Sequence, residues 1–386
     1  MIKENKNMKK ILIILLLFIT IFSGCTIKQN ESENVIEDAI GRKVNIKKGT
    51  YKRVVCIGAG ALRLYSYIGD ISLLCGVEDI ENINLKNRPK MFDGVARPYY
   101  IAYKEVFENL PSCGVGGPMA QVAEAEKILS CNPDIVLSEY EDVDKEDALQ
   151  KQLGVPVITL KYGNKGVFDD NLTKSMRLLG EIFNKQQRAE SLIKYIDDVK
   201  KDIMMRTSNI KEEDKKNVYI CGLGSWGTTN HLQTAKDYEP FNIANITNIV
   251  DSRLLKGNIQ AIEKELFISL GKDMDIMIID AAGIKNIIPL YQEDNTIFNT
   301  CKAWQKNEVY LQLSYNTYYT NLEIALVNTY FAAKVVYPEY FNDIDINKLL
   351  DEVTYLFLGK ELANEINNYP QSYGGYQKID INTFFN

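Results

Sequence analysis

The sequence predicts an α/β protein: two Rossmann-like lobes, each with a central parallel sheet, joined by a single long α-helix. Three observations carry this. Short apolar runs alternate with helical periods on both sides of the chain's middle. Between them, residues 184–207 form an amphipathic stretch without Gly or Pro. The two sides also echo each other. Gln121 to Asp134 and Gln260 to Asp275 both pass through Glu-Lys (126–127 and 263–264) to an Asp and a buried strand, the same unit twice.

The middle stretch reads as the connecting helix. Asn184 is placed to cap it, with Gln187 reaching back three residues on. Ala189, Leu192, Ile193, Ile196, Val199 and Ile203 recur at three- and four-residue steps. At full length the helix spans about 34 Å, the width of a small domain. A crossover helix inside one large sheet would show the same stripe; the paired flanks favour a connector.

The N-terminus carries an export signal. Lys3, Lys6, Lys9 and Lys10 precede an apolar run from Ile11 to Phe22, then Ser23-Gly24-Cys25. That run is too short to span a bilayer, which needs about 20 residues. Residues 1–24 read as the signal and 25–37 as a polar tether. Losing residues 1–24 removes four Lys and one Glu, so the net charge moves from −6 to −9. An acidic chain without a basic run is a poor nucleic-acid binder.

The chain has seven Cys. Cys56, Cys75 and Cys221 sit in strand-like runs, Cys113, Cys131 and Cys301 are scattered, and none forms a CxxC pair. No disulfide framework is legible, and the reading is of free thiols packed as small hydrophobes.

The first lobe runs over residues 38–183. Residues 38–46 read as a hairpin with Gly41 at its turn, and 52–57 as a strand. Gly58-Ala-Gly-Ala61 then opens a helix that carries Arg63. Backbone N–H groups and Arg63 at that helix start suit an anionic ligand group, although a tight turn needs the same small residues. Arg97, Tyr99 and Tyr100 form a basic, aromatic cluster in a Pro-containing stretch. A plain ion pair is the alternative for Arg97. A helix over 121–130, a strand over 134–138, a helix over 144–153 and a strand over 156–160 complete the lobe. Parallel strands place Gly58, Glu139 and Tyr162 along one carboxyl edge, where ligands bind.

The second lobe runs over residues 208–386. A strand over 217–222 enters a Gly-rich loop with Trp226 and His231, the chain's one His. Residues 245–250 and 258–270 read as helices, and 275–280 and 307–313 as strands. Tyr315, Asn316, Tyr318, Tyr319 and Asn321 form a polar, aromatic loop at the end of the last strand. Core packing is the alternative for these tyrosines. Helices over 323–336 and 346–358 follow.

The Ser-Gly-Cys signal end, the Gly-Arg-Lys-Val hairpin, the Gly-Ala-Leu-Arg turn, the Pro-Asp-Ile-Val and Gly-Val-Pro-Val-Ile strands and the single connecting helix resemble a known family. It is the iron-complex (siderophore, haem or cobalamin) class of ABC-transporter substrate-binding lipoproteins. Arg-Pro-Tyr at 97–99, Gly-Gly-Pro at 116–118, Tyr-Asn-x-Tyr-Tyr-Thr-Asn at 315–321 and Tyr-Pro-Glu-Tyr-Phe at 337–341 look like its iron-transport subgroup. The resemblance implies a class III periplasmic-binding fold with the ligand held between two lobes. It implies a monomer anchored to the outer face of the membrane by lipid on Cys25, delivering cargo to a permease with a cytoplasmic ATPase. The cargo would be an iron complex, with no resident cofactor. One relative of this fold takes molybdate or tungstate, so an oxyanion is the rival ligand.

On this reading Arg63, Arg97, Tyr99, Tyr100, Trp226, His231, Tyr315, Asn316, Tyr318 and Tyr319 line the ligand site, with the arginines pairing with ligand negative charge. A single His argues against a bare Zn²⁺ or Mn²⁺ receptor. An anchored enzyme using the same cleft would need a nucleophile with a base or a metal. No G-x-S-x-G, H-E-x-x-H or Cys/His set is present.

Overall fold

A computed structural model describes residues 34–117, 120, 122–224, 229–250 and 259–385. Cys25 and Trp226 lie outside these residues, as does the signal segment.

The chain opens on an antiparallel hairpin, β1 (Asn34–Glu37) with β2 (Lys43–Ile46), turned at Gly41 with φ +84°. Its first strand falls within the expected tether. Next come β3 (Val54–Ile57), α1 (Ala61–Ile68), β4 (Leu74–Glu78), α2 (Pro98–Phe107), β5 (Ser112–Gly114) and α3 (Ala125–Ser130). The lobe closes with β6 (Ile135–Ser138), α4 (Val143–Leu153), β7 (Val157–Thr159) and α5 (Asp170–Ile182). The sheet is all parallel in the order β5-β4-β3-β6-β7. β3, β4, β6 and β7 are buried along their whole length because helices cover both faces.

α6 (Gln186–Thr207) is the connecting helix, and all six apolar positions read from the sequence are buried. Asn184 does not cap it. Asn184 sits at φ +54° in the turn after α5, and the cap position is Lys185, without a side-chain bond. α5 and α6 then pack as a hairpin; a Cβ at Gly180 would lie 2.9 Å from that of Ala189.

The second lobe contains β8 (Asn217–Cys221), β9 (Gln233–Ala235), α7 (Glu239–Ile243), β10 (Thr247–Asn248), β11 (Ile259–Ala261), α8 (Lys264–Gly271), β12 (Ile276–Asp280) and α9 (Ala281–Glu293). After two one-turn helices come β13 (Val309–Gln312), α10 (Leu322–Val336), α11 (Ile346–Leu358) and β14 (Gln377–Lys378). The sheet order is β10-β8-β12-β13-β14, parallel except for the antiparallel edge strand β14. Two expected helices are corrected: 245–250 gives the edge strand β10, and 258–270 splits into β11 and α8. In the first lobe, the helix expected over 121–130 starts only at Ala125.

The lobes are not independent. One hydrophobic cluster runs from Val54 and Tyr65 of the first lobe through Ile196 of α6 to Phe331 and Phe357 of the second. α11 packs on α10 and also against α2, where Tyr103 Oη donates to Leu358 O at 2.7 Å. Arg188 of α6 ties Tyr67 O of α1 to Leu356 O and Phe357 O of α11. All six cysteines in the described residues are free and buried, four in the first lobe and two in the second.

Candidate functional site

Two features occupy the space between the lobes: a packed polar seam and an open cavity. The seam starts at the Gly58–Gly60 turn, which enters α1 so that Arg63 points toward the second lobe. Arg63 is fully buried. Its guanidinium donates to Thr317 O at 2.7 Å and to Tyr318 O at 2.9 Å, and it lies 4.8 Å over the Tyr99 ring. Both carbonyls belong to the loop after β13. That loop holds two consecutive tyrosines in left-handed backbone, Tyr318 at φ +50° and Tyr319 at φ +73°. Bulky residues rarely adopt this conformation, so the surroundings must enforce it.

They do so with matched partners. Tyr318 Oη donates to Glu78 Oε2 at 2.7 Å and accepts from Gly117 N at 2.9 Å. Glu78 Oε1 accepts from Gly58 N at 3.0 Å. The Tyr319 ring lies 4.4 Å from Tyr162, whose hydroxyl donates to Gly60 O. A reciprocal bond runs the other way: Tyr67 of the first lobe donates to Glu323 Oε2 of the second at 2.7 Å. Each lobe thus gives one tyrosine hydroxyl and one buried glutamate. Burial pushes both carboxyls up to about 7.

Arg97 and its neighbours sit beneath this seam. Arg97 is buried against Glu81 at 2.6 Å, and the Tyr99 hydroxyl donates to the same carboxylate at 2.5 Å. Tyr100 stacks under Arg97 at 4.8 Å and donates to Glu108. Both arginines expected to meet ligand charge are therefore engaged by protein groups in this structure.

The cavity has a volume of about 540 Å³. Lys165 and Phe168, from the loop after β7, face Asp237, Tyr238, Glu239 and Tyr315 of the second lobe across it. Among the described residues, Tyr315 is the one candidate read from the sequence that lines it. Asn316 turns away and donates to Gly224 O. The stretch 235–242 carries little local signal because its elements are short. Its one local sign is Pro240 at the start of α7, a position that favours a helix.

His231 lies apart from both features. It is buried between Phe267 and Phe298, with ring centroids at 5.0 and 4.9 Å, and burial pushes it down to about 4. Those rings come from distant parts of the chain, so a polar loop residue becomes core. Among the described residues no group of three or more His, Cys, Asp or Glu can hold a metal ion. Nor is any described helix long and apolar enough to cross a membrane.

The comparisons agree with this architecture. The molybdate-binding protein MolA of Haemophilus influenzae is 21% identical over 275 residues, 65% of this chain and 74% of that protein. A periplasmic solute-binding protein from Veillonella parvula superposes with a TM-score of 0.66 at 19% identity, covering 87% of this chain and 96% of that one. The TroA-like periplasmic binding protein FepB from Veillonella parvula gives 0.61 at 18% identity, covering 85% and 97%. At these identities the structures establish the fold. The model of the periplasmic binding protein family matches residues 102–312, more than half of the chain. Two parallel-sheet lobes on one connecting helix, with a cavity between them, belong to a solute receptor: the chain is a member of the periplasmic binding protein family, an extracytoplasmic substrate-binding component of an ABC transporter that works with a membrane permease and its ATPase.

Proposed function

We propose that this receptor captures an iron complex, such as a ferric siderophore, in the interlobe cavity and hands it to its permease. The observation that carries this is the cavity. Its volume of about 540 Å³ falls within the range of small-molecule sites and far exceeds a tetrahedral oxyanion. Its walls mix rings (Phe168, Tyr238, Tyr315) with a few charges (Lys165, Asp237, Glu239), as a bulky chelate with polar edges requires. On this reading Tyr315 is a ligand contact, while Arg63 and Arg97 are held by protein groups outside the cavity. Cys25 carries the lipid anchor.

The likeness to MolA favours a second reading, a molybdate or tungstate receptor. A thermal-shift screen of residues 26–386 against ferric siderophores, haem, cobalamin, molybdate and tungstate separates the two. A ligand at about a hundred times its Kd adds about 2.7 kcal/mol to the native state. A shift with an iron chelate, lost in Phe168→Ala, is the expected result. A shift with molybdate alone would replace the iron reading. Membrane fractionation of the full chain tests the anchor, with Cys25→Ser expected in the soluble fraction.

A further inference from the structure

Glu139 follows the last residue of β6, and its amide donates to Ile57 O at 3.1 Å, which fixes it at the carboxyl edge of the first sheet. The turn opposite is shaped around it. Gly58 has φ +83°, and a Cβ there would lie 3.1 Å from that of Glu139. Both carboxyl oxygens of Glu139 are buried, and neither has a hydrogen-bond partner. The charged groups facing it are Glu141, Arg63 and Lys161. Both cations are engaged elsewhere, Arg63 with the carbonyls of Thr317 and Tyr318 and Lys161 with Glu141. Burial accordingly holds the carboxyl well above its usual range. The charge of Glu139 is felt by Tyr162 and Tyr319, whose rings lie 4.4 Å apart.

An unpaired buried carboxyl costs stability. Such a cost, on the ligand-binding edge of a sheet, serves binding rather than folding. The chemistry is specific. A buried carboxyl without a partner accepts an ammonium or another N–H donor and disfavours an oxyanion.

We infer that the buried, unpartnered carboxyl of Glu139, at the carboxyl edge of the first sheet beside the Gly58 turn, is the acceptor of a subsite for a cationic, hydrogen-bond-donating group on the captured ligand. This rests on the chelate reading above and narrows it to chelates that carry an ammonium or comparable donor. Glu139 releases its proton to water as the cation pairs with it.

A probe pair differing in one charge tests this: ferrioxamine B, a ferric trihydroxamate with a free ammonium, and its N-acetylated neutral form, each titrated into the wild-type protein and Glu139→Gln. The wild type should bind the ammonium form about ten- to a hundredfold more tightly. Glu139→Gln should lose that preference while keeping or raising the melting temperature of the free protein. Glu139→Ala serves as a second variant. Equal wild-type affinities for the two forms, or a preference that survives in the variants, would overturn the subsite and leave the chelate reading intact. No binding of either form, whatever molybdate does, would remove the chelate reading and the subsite with it.

Discussion

Arg63 and Lys165 both stand at the boundary between the lobes, and they are built into it in opposite ways. Arg63 is fully buried, stacked over Tyr99 and bonded to two carbonyls of the facing lobe. Lys165 is exposed on the rim of an open cavity. The seam around Arg63 pairs its groups across the lobes, tyrosine hydroxyls with glutamates and a guanidinium with carbonyls, while the cavity keeps open space between its two walls. Seam residues should therefore act mainly on stability, and cavity residues mainly on ligand affinity.

The largest test of that contrast is pH. Glu78 and Glu323 have folded-state values near 7, above the ordinary carboxyl range. The folded protein thus holds more protons than the unfolded chain between about pH 4.5 and 7. Stability is fully present below that window and falls as pH rises through it, by up to about 7 kcal/mol for the two groups together. Melting temperature should drop between pH 5 and 8, and Glu78→Gln with Glu323→Gln should flatten the slope. Asp280 and Glu146, also near 7, and Glu139, held well above the usual range, supply a residual slope. A flat profile in the wild type would show that the seam carboxyls do not titrate with folding.

Arg97→Ala comes next. It leaves Glu81 buried without its cation and should cost about 3–5 kcal/mol in a denaturant melt. Arg63→Ala strands the carbonyls of Thr317 and Tyr318 and should cost about 3 kcal/mol, whereas Lys165→Ala should stay within about 0.5 kcal/mol. Equal losses for those two would erase the distinction between seam and cavity. Phe168→Ala should cost about 1 kcal/mol of stability, because its ring is only partly buried. It should nonetheless abolish the ligand-induced thermal shift.

The sequence made the frame readable where periodicity is strong. The stripe on α6 and the β-branched runs of β3, β6 and β12 are local patterns that burial enforces. The loop around Tyr318 was legible as a cluster of tyrosines at a strand's carboxyl end. Its grip on Arg63 was not, because that contact joins residues 255 positions apart. The strands β9, β10 and β11 are two or three residues long and exist only through their partners, so local propensity misassigned two of them. His231 misled for the same reason: Phe267 and Phe298 reach it only in the folded chain.

The buried cysteines have a consequence of another kind. Burial holds the Cys56, Cys113 and Cys221 thiols far above their ordinary range and pushes Cys75 and Cys301 up to about 11, so little reactive thiolate exists while the fold is intact. Each thiol becomes a time stamp. Under a pulse of alkylating agent, a molecule gains up to four labels when the first lobe opens and two when the second does. Mass spectrometry would then read, molecule by molecule, whether the two lobes come apart together, as their shared core requires, or one ahead of the other.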